Sequence, residues 1–385
     1  MRKTITIGDL GTIITGKTPP TTNKNYYGDY AVFIKPTDIS EQCKFTYETE
    51  EMYSKLAAEK YESSLIPKGA ICVPCIGTIG TKMTMAPCDC YTNQSINSIV
   101  CNENYDNEYV YYLIKNFLPG LKAYNLGTAS GREYVSKSNF EKIELVAEQD
   151  KTIQKKIGEF LSRYDSLIEN YQKQIKLLEE AAQRLYKEWF IDLRFPGHEN
   201  TKIVNGVPEG WEKKTLDSFC NVFTGKKNAN QGVSNGKYKF FTCGDTPLLI
   251  DSYIYDGPAI IISGNGSYTG RTTFYEGKFD LYQRTYACSM KDMQDKNLIY
   301  GLFEIVKCEL TNKISGGTHG AAIPYIVMSD VTKFDFLYEE NIMQRFSSIM
   351  HNILSESLSL LNQIRHLTEA RDRLLPKLMS GEINV

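Results

Sequence analysis

The sequence has no long apolar run and no leader-like beginning. None of the apolar runs among its 385 residues reaches the roughly 18 residues that a membrane-spanning helix needs. The first ten residues lack the apolar core and the cleavage site of a signal peptide. Ten cysteines in such a chain are typical of reduced thiols, so the expected location is the cytoplasm.

Neither sign of charge is in excess. The chain has 44 Lys and Arg against 46 Asp and Glu, which gives a formal net charge of -2. This balance excludes a strongly basic, histone-like binder, although a local basic surface remains compatible with it. Hydrophobic residues make up 42% and charged residues 23%, so the chain can bury cores and is not globally disordered.

Several catalytic signatures are missing from the sequence. A DNA methyltransferase needs a cofactor loop of the type FxGxG and a pocket of the type (N/D)PP(Y/F) for a flipped base, and neither occurs. Residues 11–18, GTIITGKT, match the pattern GxxxxGK(S/T), but the two prolines that follow disfavour the helix into which such a phosphate-binding loop leads. The four histidines do not form an HExxH motif. The missing signatures favour a protein that does no chemistry itself over the alternative, a self-contained nuclease or methyltransferase.

The chain carries an internal repeat. The motif IxxL at Ile175 recurs at Ile364, an offset of 364 − 175 = 189, and Gln94 recurs as Gln283 at the same offset. The tripeptide TGK at residues 15–17 recurs at 224–226, an offset of 209, so insertions separate these anchors. A repeat of this length is too large for a solenoid unit and indicates a duplicated domain pair.

Two long helices are the strongest secondary-structure prediction. Apolar residues recur in steps of three and four from residue 153 to 189, and again from 342 to 378, where Ser357 and Arg371 interrupt the seam. We expect these two polar residues to fix the register, Pro196 and Gly197 to stop the first helix, and Pro376 to end or kink the last turn of the second early. The predicted helix-seam residues are Ile157, Leu161, Tyr164, Ile168, Ile175, Leu185, Trp189, Phe346, Met350, Ile353, Ile364 and Leu374.

The segments before the helices are strand-rich. Short β-branched runs at 70–74 and 259–263 lead into glycine-rich turns. We predict an α+β fold: two β-rich domains separated by two long antiparallel coiled-coil helices, related by a pseudo-two-fold internal repeat. The predicted segments are 1–148 (first domain), 149–193 (first helix), 194–210 (linker), 211–339 (second domain) and 340–385 (second helix).

This organisation suits a ligand with two sites at a fixed separation. Two globular parts at opposite ends of a stiff helical rod would hold two binding surfaces apart by a set distance. DNA is such a ligand, because two half-sites are spaced along one duplex. The sequence therefore favours a DNA reader over a plain coiled-coil scaffold, although the scaffold remains an alternative.

Seven motifs together carry a family resemblance. They are GKTPP at 16–20, FIKPTDI at 33–39, IGTIG at 76–80, TNQS at 92–95, QRLYKEWFID at 183–192, VPEGW at 207–211 and LLPKLMSGE at 374–382. With the duplication and the two helices, the whole chain resembles the specificity subunits of type I restriction–modification systems. No single motif among the seven is diagnostic.

The resemblance implies a division of labour. Each β-rich domain would be a target recognition domain that reads one half of a split, asymmetric DNA sequence, and the helices would set the gap. The helices would also dock two methylation subunits, which hold S-adenosylmethionine and methylate adenine at N6. A restriction subunit that uses ATP and Mg²⁺ can join such a complex. No cofactor is implied in this chain.

Candidate DNA contacts follow from residue chemistry. Glycine permits the tight TGK turns and Lys can meet phosphate, whereas Arg or Lys can read guanine and Asn or Gln can read adenine. The loops at 127–132 and 315–320 add Arg132 and His319, since glycine-rich loops bring backbone amides close to phosphates. The candidates are Lys17, Thr18, Lys35, Thr78, Lys82, Asn93, Gln94, Arg132, Lys226, Lys227, Asn265, Tyr268, Arg271, Gln283, Arg284 and His319. About half of such a set is expected to be structural or phosphate-positioning.

Two groups of residues allow a chemical alternative. Asp256 with Glu276 and Lys278 has a nuclease-like spacing, but the glycine between the last two favours a turn between strands. The pair Cys72 and Cys75, with two further cysteines at 88 and 90, could bind zinc. The repeat places Ile261 and Gly264 at the equivalents of the first pair, so buried thiols and no metal are predicted.

One aromatic cluster indicates a protein contact. Tyr186, Trp189 and Phe190 lie near the end of the first helix and offer more aromatic surface than one seam requires. Because aromatic residues are enriched at protein interfaces, we expect these three to form part of a docking surface.

Overall fold

The described part of the chain comprises residues 1–125, 127, 133–292, 295–315 and 325–385 of a computed structural model. It divides into a first unit, Met1–Gln172 with Leu361–Val385, and a second unit, Lys173–Leu360. Each unit therefore holds one strand-rich region and part of both long helices. The boundary between the units falls inside each long helix, and the five segments predicted from the sequence stay a prediction.

The strands of the first unit form three sheets in its described part. They are β1 (Arg2–Thr6), β2 (Gly11–Thr15), β3 (Tyr27–Ile34), β4 (Met52–Tyr53), β5 (Ile71–Pro74), β6 (Thr84–Met85), β7 (Tyr91–Thr92), β8 (Ile96–Cys101) and β9 (Glu144–Glu148). β1 pairs antiparallel with β9, and a four-stranded sheet has the order β2-β8-β5-β6. β3 lies between β4 and β7 and runs parallel to β7.

The helices of the first unit begin at side-chain caps. They are α1 (Lys55–Lys60), α2 (Asn107–Phe117), α3 (Lys137–Glu141) and the start of α4 (Lys151–Tyr186). Ser54, Asp106 and Ser136 each accept a hydrogen bond from the backbone N–H three residues further on. Each cap satisfies one N–H that the first helical turn leaves unpaired, which explains where α1, α2 and α3 begin.

The second unit repeats the strand pairing of the first. Its strands are β10 (Ile203–Val204), β11 (Val207–Pro208), β12 (Glu212–Thr215), β13 (Cys220–Thr224), β14 (Tyr238–Phe241), β15 (Leu248–Ile250), β16 (Tyr255–Ser263), β17 (Thr272–Leu281), β18 (Thr285–Met290) and β19 (Asp335–Tyr338). β12 pairs antiparallel with β19, as β1 does with β9. The main sheet has the order β13-β18-β16-β17-β14-β15, and β13-β18-β16 repeats β2-β8-β5. The duplication read from sequence is thus also a duplication of topology.

The helices of the second unit include the other long element. They are α5 (Leu216–Phe219), α6 (Leu298–Ser315), α7 (Met328–Thr332) and the start of α8 (Glu340–Ser380). The Glu339 carboxylate accepts the backbone N–H of Ile342 at 2.8 Å, which caps the start of α8.

The two long helices run antiparallel. In the first unit Asp165 of α4 pairs with Arg371 of α8, and in the second unit the Trp189 ring lies 5.9 Å from that of Phe346. Residue numbers thus rise along α4 while they fall along α8. All twelve predicted seam residues are buried or half-buried. The predicted fold class, an α+β chain with two repeated domains and two long antiparallel helices, is confirmed.

Each unit has its own core. In the first, Tyr109 and Tyr112 of α2 share a core with Ile157 of α4 and Leu378 of α8. In the second, the aromatic residues near the end of α4 lie in the core. Tyr186, Trp189 and Phe190 are 4%, 7% and 7% exposed, and the Phe190 ring contacts Phe346 at 5.0 Å. The prediction that these three side chains form a docking surface is wrong, because the core of the second unit uses them.

The ends of the long helices differ from prediction. The α-helical part of α4 ends at Tyr186 and a π-helical turn follows at Lys187–Ile191, so the helix stops before Pro196. Helix α8 continues through Pro376 to Ser380, and Gly381 with φ of +80° follows it. The prediction that Pro376 ends the last turn early is wrong.

Candidate nucleic-acid interface

In the first unit the TGK segment lies against the turn that contains Gln94. A Cβ at Gly16 would meet the Thr92 carbonyl oxygen at 2.1 Å, so only glycine fits there. The backbone N–H of Lys17 donates to that same oxygen at 2.9 Å. The tight approach fixes Lys17 and Thr18 beside Gln94 at the surface.

The second unit builds the same contact from a different sequence. A Cβ at Gly225 would meet the Leu281 carbonyl oxygen at 1.7 Å. The backbone N–H of Gln283 donates to the Lys227 carbonyl at 3.0 Å. Thr92 and Leu281 are related by the offset of 189, so the two glycines approach equivalent backbone oxygens.

A third segment completes each arrangement. The backbone N–H of Cys75 donates to the backbone carbonyl of Ser95 at 2.7 Å. At the equivalent positions the backbone N–H of Gly264 donates to the backbone carbonyl of Arg284 at 2.9 Å. We call residues 15–18, 75–82 and 92–95 the first platform, and residues 224–227, 264–271 and 281–284 the second platform. The structure therefore brings together, in each unit, three segments that sequence reasoning had marked separately.

Residues that sequence reasoning missed also support the platforms. Tyr134 bridges to Ile76 in the first unit, and Tyr325 bridges to Asn265 in the second. The neighbouring Val135 N–H donates to the Cys75 carbonyl at 2.9 Å, and a fourth strand-like segment is thereby attached. The same repeat comparison would have found both tyrosines, because they lie at similar offsets from the glycine-rich loops.

The candidates of the first platform lie at its surface. Lys17 is exposed and its Nζ donates to the Ser63 hydroxyl at 3.2 Å. The Thr18 hydroxyl donates to the side-chain oxygen of Gln94, and both residues are exposed. Thr78 is also exposed, whereas Lys82 and Asn93 are half-buried. Oδ1 of Asn93 accepts the N–H of Ser95 at 3.1 Å, which shapes the turn.

Lys35 lies beside the first platform but is already paired. Its Nζ contacts the carboxylates of Glu50 at 2.8 Å and Glu51 at 3.0 Å. Burial lowers the pKa of Lys35, but its hydrogen bonds to these two carboxylates outweigh that effect and the net pKa shift is upward. A cation held by two acids is poorly placed to neutralise a phosphate.

Two candidate cations of the second platform are tied to carboxylates. Arg271 stacks on the Tyr268 ring at 4.6 Å and its Nη1 contacts Asp245 at 2.7 Å. Nζ of Lys227 lies 3.3 Å from Asp280, which is fully buried. Tyr268 itself is 41% exposed. Arg271 and Lys227 therefore stabilise the loops and leave other side chains to face a ligand.

Two other cations of the second platform are available. Lys226 and Arg284 are exposed, and neither has a carboxylate within 4.0 Å in the part of the chain that the structure describes. Between them, Nε2 of exposed Gln283 donates to Oδ1 of Asn228 at 3.0 Å. Asn265 of the glycine-rich loop is half-buried. Within the described residues, this platform thus presents two cations without a carboxylate partner and one amide that Asn228 holds by a hydrogen bond.

Arg132 and His319 lie outside the described residues. So do most of the glycine-rich loops that carry them, of which the structure describes Gly127 and Ser315. Their assignment as DNA contacts remains a prediction from sequence.

Cys72 and Cys75, the possible zinc ligands, are buried thiols. Cys72 and Cys75 are 0% and 2% exposed, and burial raises the pKa of both thiols to about 12. The two side chains pack into different hydrophobic clusters, so they do not converge on one ion. Among the described residues no group of three or more His, Cys, Asp or Glu is placed to hold a metal ion.

The nuclease-like spacing falls inside a β-ladder. Glu276 and Lys278 belong to β17, where Lys278 pairs in register with Asp256 of β16 and Gly277 with Gly257. The prediction of a turn at residues 276–278 is wrong, because the β16–β17 connection spans residues 264–271. Asp256 and Lys278 form a cross-strand pair of opposite charge, an ordinary source of sheet stability.

Comparison with known proteins agrees with this architecture. The family model described as type I restriction modification DNA specificity domain matches residues 2–180 and again 208–349. The chain therefore belongs to the type I restriction–modification DNA specificity family. Among the described residues, no helix is both long enough and apolar enough to cross a membrane.

Individual relatives match the whole chain or part of it. It is 27% identical to the type I restriction enzyme MjaIX specificity subunit of Methanocaldococcus jannaschii, over 98% of this chain and 93% of that one. It is 37% identical to the HindI specificity subunit of Haemophilus influenzae, over 39% of this chain and 33% of that one. Its fold is similar to the crystal structure of an S subunit from M. genitalium, with a TM-score of 0.64 and 16% identity over 98% and 96% of the two chains.

Proposed function

We propose that this chain is the DNA sequence-recognition subunit of a type I restriction–modification complex, and that each platform reads one half of a split, asymmetric site. The observation that supports this most directly is that one backbone arrangement is built twice with different exposed side chains. Both platforms present an exposed lysine, Lys17 or Lys226, and an exposed glutamine, Gln94 or Gln283. They differ beside these anchors, where Lys227 replaces Thr18 and exposed Arg284 replaces half-buried Ser95. Different side chains on equivalent frames suit two different half-sites.

The charge distribution supports recognition within a complex. Phosphate neutralisation supplies much of the affinity for DNA, and a chain of net charge -2 brings few free cations to a duplex. The proposed partners are double-stranded DNA, two methylation subunits and, where present, a restriction subunit. DNA binding by the isolated chain is expected to be weak, and to become tight when the methylation subunits are bound.

The chemistry is assigned to those partners. In this proposal the methylation subunits hold S-adenosylmethionine and transfer a methyl group to adenine N6, and a restriction subunit would use ATP and Mg²⁺. The present chain contributes no catalytic group and no cofactor site. Its contribution is the choice of sequence and the positioning of the methylation subunits on it.

Methylome sequencing tests the proposal. Cells with the gene should carry N6-methyladenine at one split, asymmetric motif, and deletion should abolish methylation at that motif alone. Re-expression of the chain should restore it. An unchanged methylome after deletion, with the methylation subunit expressed and active, would contradict the proposed function.

A further inference from the structure

In the first unit, an arginine fills the junction of three helices. Arg371 of α8 is 4% exposed, and its guanidinium pairs with Asp165 of α4. Asp165 also accepts a hydrogen bond from the hydroxyl of Tyr112 on α2. A second cation, half-buried Lys115, lies one turn further along α2. The junction therefore holds its buried carboxylate with a buried guanidinium.

The repeat gives the second unit a different set at the equivalent place. Subtracting 189 takes Arg371 to Ala182, and adding 189 takes Asp165 to Leu354. The same addition takes Lys115 to Glu304. The guanidinium and its carboxylate are thus replaced by apolar residues, while a cation of the α2 helix is replaced by an acid of α6.

A cavity lies where the guanidinium is missing. It has a volume of about 70 Å³, and its walls include Ala182, Glu304, Leu354 and Ser357. Glu304 is 3% exposed, and the Cys308 thiol donates to its Oε1 at 3.4 Å. A thiol is a weak donor, so the carboxyl is poorly compensated for the loss of water.

The nearby lysine is occupied. Lys307 lines the same cavity, and its Nζ contacts Oε1 of Glu179 at 3.8 Å. Burial raises the pKa of Glu304, and the positive charge of Lys307 opposes that shift without cancelling it. A buried acid that lacks a close cation is costly, and such groups are concentrated at binding and catalytic sites.

We propose that this cavity is a binding site for one guanidinium group presented on an aliphatic arm. The duplicated unit supplies the precedent, because its equivalent space holds the guanidinium of Arg371. Glu304 provides the carboxylate, and Ala182 and Leu354 provide apolar contact for the arm. A planar guanidinium suits a carboxylate that lies against apolar walls, because it is more weakly hydrated than an ammonium group and bonds in a fixed fork.

A tethered arginine tests the site in the full-length chain. Ala182→Arg should place a guanidinium beside Glu304 and raise Tm by roughly 2–4 °C relative to Ala182→Met, which extends a chain of similar length without charge. The rise should disappear in Ala182→Arg with Glu304→Gln. A Tm for Ala182→Arg no higher than that of Ala182→Met, or a rise that survives Glu304→Gln, would overturn the proposal.

A free probe decides the matter if Ala182→Arg does not fold. Methylguanidinium titrated into the full-length wild-type chain should give a saturable heat of binding by calorimetry, at an ionic strength held constant with sodium chloride. The heat should be lost in Glu304→Gln. Equal heats in the two proteins, or a heat that does not saturate, would exclude a guanidinium site.

The source of the group is distinguished in the assembled complex, and this arm alone rests on the proposed function. If a partner subunit supplies an arginine side chain, Ala182→Arg and Ala182→Met should both weaken copurification with the methylation subunits, because both side chains fill the cavity. If a small molecule supplies the group, both variants should copurify like the wild-type chain. Loss of assembly in Ala182→Met together with normal assembly of Ala182→Arg would count against the proposed site, whereas failure of the wild-type chain to assemble would count against the proposed function.

Discussion

At the residue scale, the exposed cations of the second platform differ in what they can read. Lys226 is a flexible point charge suited to phosphate, and Arg284 lies beside Gln283 with a forked donor suited to a guanine edge. We predict that Lys226→Ala weakens DNA binding by the assembled complex for all sequences alike. The slope of log affinity against log salt should decrease by about one unit, as expected for one lost phosphate contact.

Arg284→Ala should behave differently. Loss of a bidentate base contact costs about 1–3 kcal/mol and relaxes specificity at one base pair. Binding measurements over a set of singly substituted sites would show this as a smaller penalty at one position. Lys202→Ala, an exposed lysine outside the platform, is the matched control. A uniform effect of Arg284→Ala across all sites would contradict a base-reading role.

Glu304 makes stability depend on pH. Burial raises the pKa of its carboxyl above the ordinary value of 4.5, so the folded chain holds this proton more tightly than the unfolded chain. The stability that this proton contributes is therefore fully present below pH 4.5, and it is lost as the pH rises through the raised pKa of the folded chain. We predict that Glu304→Gln raises Tm relative to wild type at pH 8, and that the difference becomes smaller towards pH 4.5.

Neighbouring groups define the control for that measurement. Glu179, Lys307 and Cys308 surround the carboxyl, and the His351 ring lies 4.5 Å from that of Tyr300 in the cavity wall. The variant His351→Gln should leave the difference between wild type and Glu304→Gln unchanged. A difference of the same size at pH 5 and pH 8 would show that the proton on Glu304 does not matter for stability.

The chemical types of the platform residues were predictable, but their partners were not. Lys35 and Lys226 look alike in sequence, yet Lys35 forms ion pairs with Glu50 and Glu51. Those acids lie 15 and 16 residues away along the chain, and no local pattern marks the contact. The glycines were recognisable as turn formers, whereas their approach to Thr92 and Leu281 depends on tertiary packing.

At the element scale, the Asp165–Arg371 pair joins α4 to α8 in the first unit. Removal of one member leaves a buried charge, which typically costs about 3–5 kcal/mol, whereas apolar replacement of both is often neutral. We predict that Arg371→Ala is strongly destabilising. Adding Asp165→Leu should restore most of the loss, because the second unit uses Ala182 and Leu354 at these positions. Chemical denaturation of the full-length chain measures both.

If the double variant Asp165→Leu with Arg371→Ala is no more stable than Arg371→Ala alone, the unpaired Asp165 carboxylate is not the cause of the destabilisation, and the account is contradicted. Exposed Arg373 serves as the control, and Arg373→Ala should leave the free energy of unfolding within about 0.5 kcal/mol of wild type.

The long helices were predictable because heptad spacing is a local signal that persists over many turns. Arg371 was correctly predicted to interrupt the seam, and the structure shows the carboxylate that compensates it. Residues 276–278 were wrongly predicted to form a turn, because Gly277 looks like a turn former. In the structure Gly277 pairs with Gly257 inside the long β16–β17 ladder. Pro376 likewise did not end α8, since the last turn packs into the core of the first unit through Leu378 and Met379.

At the scale of the whole molecule, one recognition frame occurs twice in a single chain. The anchors of the frame are backbone contacts made by Gly16 and Gly225, so the exposed side chains around them are free to diverge. The repeat made this organisation visible in the sequence. The identity of the bases read by each platform depends on side-chain positions around a ligand, which no repeat pattern encodes.

The central claim is that each platform reads its own half of one DNA site. The most direct measurement is methylome sequencing of cells that carry a chimaeric chain, in which residues 1–148 come from another specificity subunit. The account predicts a motif in which one half is exchanged and the other half stays as in wild type. A motif in which both halves change, or neither does, would contradict it.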